Sequence, residues 1–512
     1  MPNQLFRRKA VQAHDEDTGL KRVLGPVHLT LFGLGALIGT GIFVLTGTAA
    51  AGGASHVGAG PALIVSMVLT SITCGFAALC YAELASMIPI SGSAYTYAYT
   101  AFGELVAWII GWDLILEYGV GNIAVAIGWS GYLKGLLAGM GLEFPGWLWI
   151  DPMTASSAVA DPSRFSPEVV ALARDAFATA PDLGFPLIFN FPAILIVLVI
   201  TLLLVVGIRE SARANAAMVA VKLAMVLLFV VVGVWHIEPA NWTPFAPNGW
   251  NGILTGAALM FFAYIGFDAV STMAEETRNP QKNLPIGIIA SLVICTLLYV
   301  VVTAVLTGMA PLSLLATAEP VAAALRAVGQ DRVAALISAG AIVSMASVLL
   351  VFQYGQTRIF FVMSRDGLLP RAFSRVHPRY RTPTLSTVLT GLAVALPAGF
   401  IDISAAAELT NIGTLFAFIL VSGGVWLLRV KHPEIPRAFK VPFLPVVSLG
   451  AIATCLLLMS GLPLVTWIRF GIWLVVGLVL YFLYGWRHSR LRDENNGESH
   501  TAHQPQAART SV

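Results

Sequence analysis

Residues 32–43 read FGLGALIGTGIF and place four glycines in the middle of the first apolar segment that is long enough to cross a membrane. Glycine costs roughly 1 kcal/mol per helical position relative to alanine, so such a cluster requires a reason. Inside a bilayer, unpaired backbone groups are tolerated only where protein buries them or where they line a cavity. The stretch therefore predicts a broken helix whose free amides and carbonyls hold a small ligand. A packing explanation stays open, because Gly35 and Gly39 have the spacing that lets another helix approach closely.

The composition is that of an all-α polytopic membrane protein. Of 512 residues, 57% are hydrophobic and 11% are charged, about half the charged fraction of an average soluble protein. We predict a single membrane domain over 27–486, with about twelve transmembrane helices, named span one to span twelve in chain order. They are expected near 27–50, 61–88, 103–133, 191–208, 215–236, 250–274, 284–309, 332–362, 384–400, 407–428, 443–462 and 467–486.

The distribution of Lys and Arg predicts the orientation. Basic residues cluster before span one and after spans eight, ten and twelve, whereas the links at 51–60, 237–249 and 401–406 contain none. The positive-inside rule then places both termini in the cytoplasm. The membrane is expected to be the plasma membrane of the cell. Residues 1–26 form a cytoplasmic segment, and residues 487–512 a disordered cytoplasmic tail. The long external link at 138–190 either covers part of an entrance or is a passive loop.

A second interrupted helix is expected in span six, where residues 259–270 read LMFFAYIGFDAV with Gly266 and Asp268 at mid-span. A carboxylate at that depth is costly unless it is paired or hydrated. Spans one and six are five apart, and five is an odd number. Two tandem units of five spans must therefore insert with opposite orientations. Interrupted segments at corresponding positions of two inverted halves mark the binding site of a transporter. We assign the first repeat to 27–236, the second to 250–428, and two additional helices to 443–486.

Several motifs, in this order, resemble the amino acid–polyamine–organocation transporters, and among them the prokaryotic relatives of the cationic amino acid transporters. The matching segments are GALIGTGIF (35–43), YAEL (81–84), PISGSAYTY (89–97), GWDLILEY (111–118), the span-six segment, AEETRNPQ (274–281) and SRDGLLP (364–370). The resemblance extends over about 22–486. It implies the leucine-transporter fold, with five-plus-five inverted repeats and two extra C-terminal helices, and an amino-acid substrate.

An amino acid presents a carboxylate and an ammonium group. Helix N-termini attract anions because their free N–H groups and the helix dipole point the same way. The carboxylate is therefore assigned to the start of the second half of span one, at Gly39, Thr40, Gly41 and Ile42. The ammonium is assigned to freed carbonyls, those of Ile38 in span one and of Phe262, Ala263 and Ile265 in span six.

Lys222 is the most informative charge, because it lies about eight residues into span five with apolar neighbours on every side. One interpretation is a lysine that snorkels to the interface, ~12 Å away at ~1.5 Å per residue. Some transporters that the chain resembles hold a sodium ion between spans one, five and eight, and in the matching branch a span-five lysine stands in its place. The resemblance implies that Lys222 replaces sodium, as a proton carrier or as a fixed cation, with the proton as coupling ion.

Glu117 lies near mid-membrane in span three, with Asp113 one turn earlier on the same face. A carboxylate at that depth needs a partner, and Lys222 is the partner we expect. Proton coupling is therefore assigned to Lys222 and Glu117. The substrate side chain is expected to meet Tyr264 and Phe267, together with Phe262, and a second wall around Gln353; ordinary packing is the alternative.

The substrate expected is a small or apolar neutral L-amino acid, taken up by secondary active transport. An exchanger of amino acids, amines or polyamines, and a transporter of cationic amino acids, remain open. An enzyme is not expected, because all nine histidines lie at or beyond span ends and no hydrolytic motif occurs in the spans. No cofactor, metal or nucleic acid is expected, and the expected partners are the amino-acid substrate and the lipid bilayer. The sequence does not specify an oligomeric state or an accessory subunit.

Overall fold

The computed structural model describes residue 7 and residues 24–53, 56–88, 93–142, 144–182, 184–206, 212–380 and 382–490. Within these ranges the chain is helical, and its only extended pairings are three isolated β-bridges. Most of the predicted N-terminal segment, and residues 491–512 of the predicted tail, lie outside the described residues.

Twelve apolar segments account for the membrane domain in the described part of the chain, in agreement with the expected number. Eight helices and one bent pair are long and apolar enough to cross a bilayer, and three shorter apolar helices complete the set. In chain order they are Pro26–Leu37 with Gly41–Ala51, Gly60–Met87, Glu104–Gly139, Phe191–Val206, Ala216–Val234, Gly249–Ala274, Pro280–Met309, Asp331–Arg365, Thr384–Ala398, Ile403–Lys431, Leu444–Ser460 and Leu464–His488.

The shorter helices lie in the links between spans. They are Ser93–Ala101, Pro152–Ala160, Pro167–Thr179, Leu312–Leu315 and Pro320–Ala327, with 3₁₀ turns at Gly146–Leu148, Pro162–Arg164, Pro239–Trp242 and Arg371–Ser374. Several of these helices begin with proline. The N–H that proline lacks would have no partner within the helix at this position.

Span six lies at the centre of the bundle and span twelve at its edge. In the most apolar stretch of span six 89% of the residues are buried, against 22% in span twelve and 28% in span five. A helix that is apolar all round and buried all round belongs to a core, whereas an apolar exposed helix faces lipid. The mostly buried span six is therefore positioned to form a site inside the protein.

The end of the bundle at which span one begins, here called the terminal side, is closed by polar contacts. The N–H of Leu24 donates to the carbonyl of Glu276 (3.0 Å), and the N–H of Arg278 donates to the carbonyl of Leu24 (2.9 Å). Buried Glu83 of span two forms ion pairs with Arg429 and Arg437. These contacts tie span one to span six, and span two to span ten, at the same end of the molecule.

The long link at 138–190 forms a cap over the opposite side. Its helices Pro152–Ala160 and Pro167–Thr179 pack on a small apolar core that includes Ile150, Ala155 and Ile188. A cavity of about 280 Å³ lies beneath them and extends to Val44 in the second half of span one. The link therefore covers a cavity, and its interpretation as a cover over an entrance stays a prediction.

The cap is joined to span ten through two buried carboxyl groups. Asp151 caps the helix Pro152–Ala160 by accepting from the N–H of Thr154 (2.8 Å), and Asp402 caps span ten by accepting from the N–H of Ala405 (3.0 Å). The hydroxyl of Thr154 also donates to Asp402 (3.4 Å). Thr154 therefore links the two carboxyl groups.

We predict that the cap docks more firmly at low pH. Burial and the nearby charge of Asp402 raise the pKa of Asp151 to about 6, above the value of about 3.9 for an unfolded chain. The stabilisation of the docked cap by protonated Asp151 is therefore fully present below about pH 4 and is lost as the pH rises through about 6. Deuterium exchange at 152–160 should increase about tenfold from pH 5 to pH 7.5, beyond the intrinsic pH effect.

The double variant D151N/D402N keeps both helix caps but cannot titrate, so its corrected exchange should not change with pH. Asp182→Asn, an exposed carboxylate in the same link, is the matched control and should behave like the wild type. The same pH dependence in wild type and double variant would contradict the prediction.

Candidate functional site

Span one is broken at its glycine cluster. The first half, Pro26–Leu37, ends at Ile38, whose backbone is extended (ψ 100°). A π-helical turn, Gly41–Leu45, begins the second half, and the two halves are bent by 42°. The predicted interruption of span one is present.

Span six is broken at the corresponding place. Its helix Gly249–Met260 tightens into a 3₁₀ turn, Phe261–Tyr264, and Ile265 is extended (ψ 133°). Gly266 follows with φ +121°, a conformation that residues with a Cβ rarely adopt. A 3₁₀ helix, Asp268–Glu276, continues the span.

The two breaks pack directly on each other. A Cβ added to Gly41 would lie 2.4 Å from Cα of Ala263, and one added to Gly266 would lie 2.9 Å from Cβ of Ala36. A Cβ on Gly39 would meet Val348 of span eight at 2.9 Å. Close packing therefore occurs at Gly39, Gly41 and Gly266, where the helices are also interrupted.

The second half of span one presents amide groups at the break. The first backbone hydrogen bond of this half runs from the N–H of Phe43 to the carbonyl of Gly39 (3.2 Å). The amides of Thr40, Gly41 and Ile42 lie before it and, as in the first turn of any helix, have no acceptor within the helix. Among the described residues, the buried hydroxyl of Thr40 has no hydrogen-bond partner. These donors lie where we predicted a substrate carboxylate.

The carbonyl end of the first half of span one is satisfied by donors from three other spans. Lys222 Nζ donates to the carbonyl of Gly35 (2.6 Å), Tyr299 to that of Leu37 (2.7 Å) and Ser344 to that of Ile38 (3.1 Å). Tyr299 also approaches the carbonyl of Ala263 in span six (3.0 Å). Of the carbonyls assigned to the ammonium, those of Ile38 and Ala263 thus already accept from side chains, and that of Phe262 accepts from the N–H of Ile265 (3.3 Å). A carbonyl oxygen has a second lone pair, so each can still accept once more.

Lys222 points into the bundle. The side chain is 1% exposed, and its ammonium group reaches the carbonyl of Gly35 across the interface between spans five and one. The snorkelling interpretation of Lys222 is therefore wrong, because a snorkelling lysine places its charge in water. A charge-assisted bond to the end of a half-helix also complements the helix dipole.

Glu117 has a different hydrogen-bond partner from the one that we expected. It lies in a π-helical segment of span three, Leu116–Val120, and accepts from the hydroxyl of Thr414 in span ten (3.0 Å). Lys222 donates to the backbone of span one. Asp113 is also buried, and neither of its carboxyl oxygens has a hydrogen-bond partner among the described residues.

The residues proposed to meet the substrate side chain are held by neighbouring spans. Tyr264 donates to the carbonyl of Met67 in span two (3.2 Å), and Phe267 packs on Phe418 of span ten at 5.3 Å between ring centroids. Gln353 donates to the hydroxyl of Thr201 in span four (2.6 Å). Phe262 is buried at the break itself. Their suggested roles in specificity stay predictions.

Sequence reasoning missed the polar side chains that hold the breaks in place. Besides Tyr299 and Ser344, Asn411 of span ten donates to the carbonyls of Ala258 (2.8 Å) and Leu259 (3.0 Å) in span six. Tyr132 of span three donates to the carbonyl of Phe43 (2.7 Å). Single hydroxyl or amide residues in apolar spans give little sequence signal, since the same residues occur at ordinary helix contacts.

Two broken helices that pack on each other at mid-span of a twelve-span bundle are an arrangement typical of secondary transporters. The amino acid permease family matches residues 24–483, almost the whole membrane domain. The chain belongs to this family, which consists of membrane transporters and not of enzymes.

Individual relatives match over nearly the full length. The chain is 48% identical to a branched-chain amino acid permease of Bacillus subtilis over 96% of its own length and 100% of the relative's. It is 47% identical to a methylthioribose transporter of the same species, over 96% and 99%. With a chloroplastic cationic amino acid transporter of Arabidopsis thaliana it shares 39% identity over 83% of this chain and 69% of the relative.

We predict that Gly41→Ala disrupts the site. The added methyl would lie 2.4 Å from the backbone of Ala263, so the two breaks would have to separate, at a cost of about 1–3 kcal/mol. Thermal unfolding of the purified protein should shift to lower temperature, and binding of labelled amino acid should fall by at least about tenfold.

Gly75→Ala is the matched control, because a Cβ at Gly75 of span two would have nothing within 4 Å. It should keep wild-type stability and binding, or gain slightly from the better helix propensity of alanine. Wild-type binding by Gly41→Ala would contradict the role given to the contact between the breaks.

Proposed function

We propose that this protein takes up small or apolar neutral L-amino acids across the plasma membrane by alternating access, driven by an inward proton gradient. The observation that carries the proposal is the convergence of the amide end of one half-helix, at Thr40–Ile42, with carbonyl ends at Ile38 and Ala263. A site with donors on one side and acceptors on the other suits a zwitterion.

The proposed orientation places the terminal side, and both chain termini, in the cytoplasm. Basic residues cluster in the links of that side, whereas the links at 51–60 and 237–249 on the opposite side contain none. The cap and its cavity would then face the outside, and the ties at Leu24 and Glu83 would close the cytoplasmic path.

Lys222 is the proposed coupling residue, in the place of a sodium ion. Its charge-assisted bond to the carbonyl of Gly35 ties span five to the first half of span one. Loss of the proton would weaken this bond, and the first half of span one is the element that would have to move for the cytoplasmic path to open. Proton release would then be linked to opening toward the cytoplasm.

A neutral amino acid is favoured by the relatives and by the lining of the site. The branched-chain permease of Bacillus subtilis is 48% identical over the whole length, and Phe262 and Ile265 are apolar. Methylthioribose is the second candidate, because a transporter named for it is 47% identical. It lacks the ammonium group for which the converging carbonyls would be suited.

The decisive experiment is uptake into proteoliposomes of labelled leucine, valine, alanine, lysine and methylthioribose, with and without an inward proton gradient. We expect accumulation of the neutral amino acids that depends on the gradient and does not require substrate inside. Lys222→Ala should lose at least about 90% of it, whereas Lys431→Ala, an exposed lysine at the end of span ten, should keep wild-type rates.

Two results would overturn parts of this proposal. Uptake that needs internal substrate and ignores the gradient would establish an exchanger and remove the coupling role of Lys222. Transport of methylthioribose but not of amino acids would overturn the substrate class while leaving the transporter class intact.

We also predict that Glu117→Gln uncouples transport from the proton gradient. Glutamine keeps an acceptor for the hydroxyl of Thr414 but cannot exchange a proton. Exchange of internal for external leucine should persist, while accumulation driven by the gradient should fall about tenfold. Asp113→Asn, one turn earlier, is the control and should stay coupled; gradient-driven accumulation by Glu117→Gln at the wild-type level would exclude a coupling role.

A further inference from the structure

The hydroxyl group of Tyr299 lies at the point where the two broken helices cross. Tyr299 belongs to span seven and is 1% exposed. Its oxygen is 2.7 Å from the carbonyl oxygen of Leu37 in span one and 3.0 Å from that of Ala263 in span six. One side chain thus contacts the backbone of both breaks.

A phenol has one proton, so it can make only one full hydrogen bond as a donor. Both acceptors are at the C-terminal ends of half-helices: Leu37 ends Pro26–Leu37, and Ala263 lies in the last turn before the break of span six. Such ends carry partial negative charge. Without a donor between them the two ends would repel each other, and a shared proton holds them together while leaving lone pairs on both oxygens.

We infer that Tyr299 is a positioning residue for the substrate ammonium group. It fixes the spacing of the carbonyls of Leu37 and Ala263. The second lone pairs of the carbonyl oxygens at the two breaks can then bind one cation together. The inference rests on the proposed function, because it requires that an amino acid binds between the breaks. Tyr299 acts through these carbonyls and does not need to touch the substrate.

A purely structural role is the competing interpretation, and Tyr481 of span twelve provides the control. Tyr481 is 0% exposed, and its hydroxyl donates to the carboxylate of Glu104 at the start of span three (3.0 Å), at the end of the bundle and not at the breaks. Tyr299→Phe and Tyr481→Phe each remove one buried hydroxyl bond and keep the aromatic ring.

The first measurement is the Kd for L-leucine, or for the best-bound amino acid of the uptake panel, together with the Tm of the ligand-free protein. Both variants should lower Tm. Tyr299→Phe should raise Kd about 3- to 10-fold, the effect of losing one hydrogen bond that positions the two carbonyls, and Tyr481→Phe should stay within about twofold of wild type. Unchanged affinity in Tyr299→Phe, or an equal loss in Tyr481→Phe, would overturn the inference.

A second measurement does not depend on the substrate. Deuterium exchange of the ligand-free protein in nanodiscs should be several-fold faster at 36–44 and 260–268 in Tyr299→Phe, and unchanged there in Tyr481→Phe. Should the wild type bind no amino acid, the proposed function fails, and exchange alone then decides whether Tyr299 fixes the two breaks. Wild-type exchange at both segments in Tyr299→Phe would overturn that role too.

Discussion

The structure depends on one constraint, which is that backbone polar groups at the middle of a membrane must find partners inside the protein. Spans one and six both interrupt their own hydrogen bonding, and each interruption frees carbonyls on one side and amides on the other. The surrounding spans supply the missing donors: Lys222 from span five, Tyr299 from span seven, Ser344 from span eight and Asn411 from span ten. The packing of the bundle is thus arranged around two defects in its central helices.

The freed carbonyls and the freed amides differ in whether neighbouring side chains provide their hydrogen-bond partners. The carbonyl ends of the first halves are satisfied by side chains, whereas the amide end at Thr40–Ile42 adjoins a buried hydroxyl that has no partner among the described residues. A buried polar group without a partner costs about 1–3 kcal/mol. The carboxylate of the proposed substrate would accept from these amides and from this hydroxyl, while its ammonium group would use the second lone pairs of the carbonyls.

The breaks themselves could be predicted, because their cause is local. Clustered glycines weaken a helix at that point whatever its neighbours are, and Gly266 has the positive φ that such a residue permits. Lys222 could be found as well, since a single charge among apolar residues is conspicuous. Its contact with the backbone of Gly35 could not be predicted, and neither could the bond from Thr414 to Glu117. Both depend on how spans three, five and ten are rotated about their axes, which residue spacing within one helix does not determine. Tyr299 and Ser344 could not be predicted because a hydroxyl in an apolar helix is compatible with any neighbour.

The distribution of the donors constrains how the bundle can move. The last carbonyls of the first half of span one are bound by three different spans, so this half cannot shift as a rigid body without exchanging or breaking those bonds. Hydroxyl bonds are worth about 0.5–1.5 kcal/mol each, whereas bonds to charged groups are worth roughly 1.5–3 kcal/mol. With its proton in place, Lys222 therefore makes the strongest of these three hydrogen bonds, and it is the group of the three in which gain or loss of a proton near neutral pH would change the bond. A sodium ion in that place would need oxygen ligands from several elements at once, whereas a lysine carries its charge on its own span. In the proposed cycle, this makes span five the element that senses the proton and span one the element that responds.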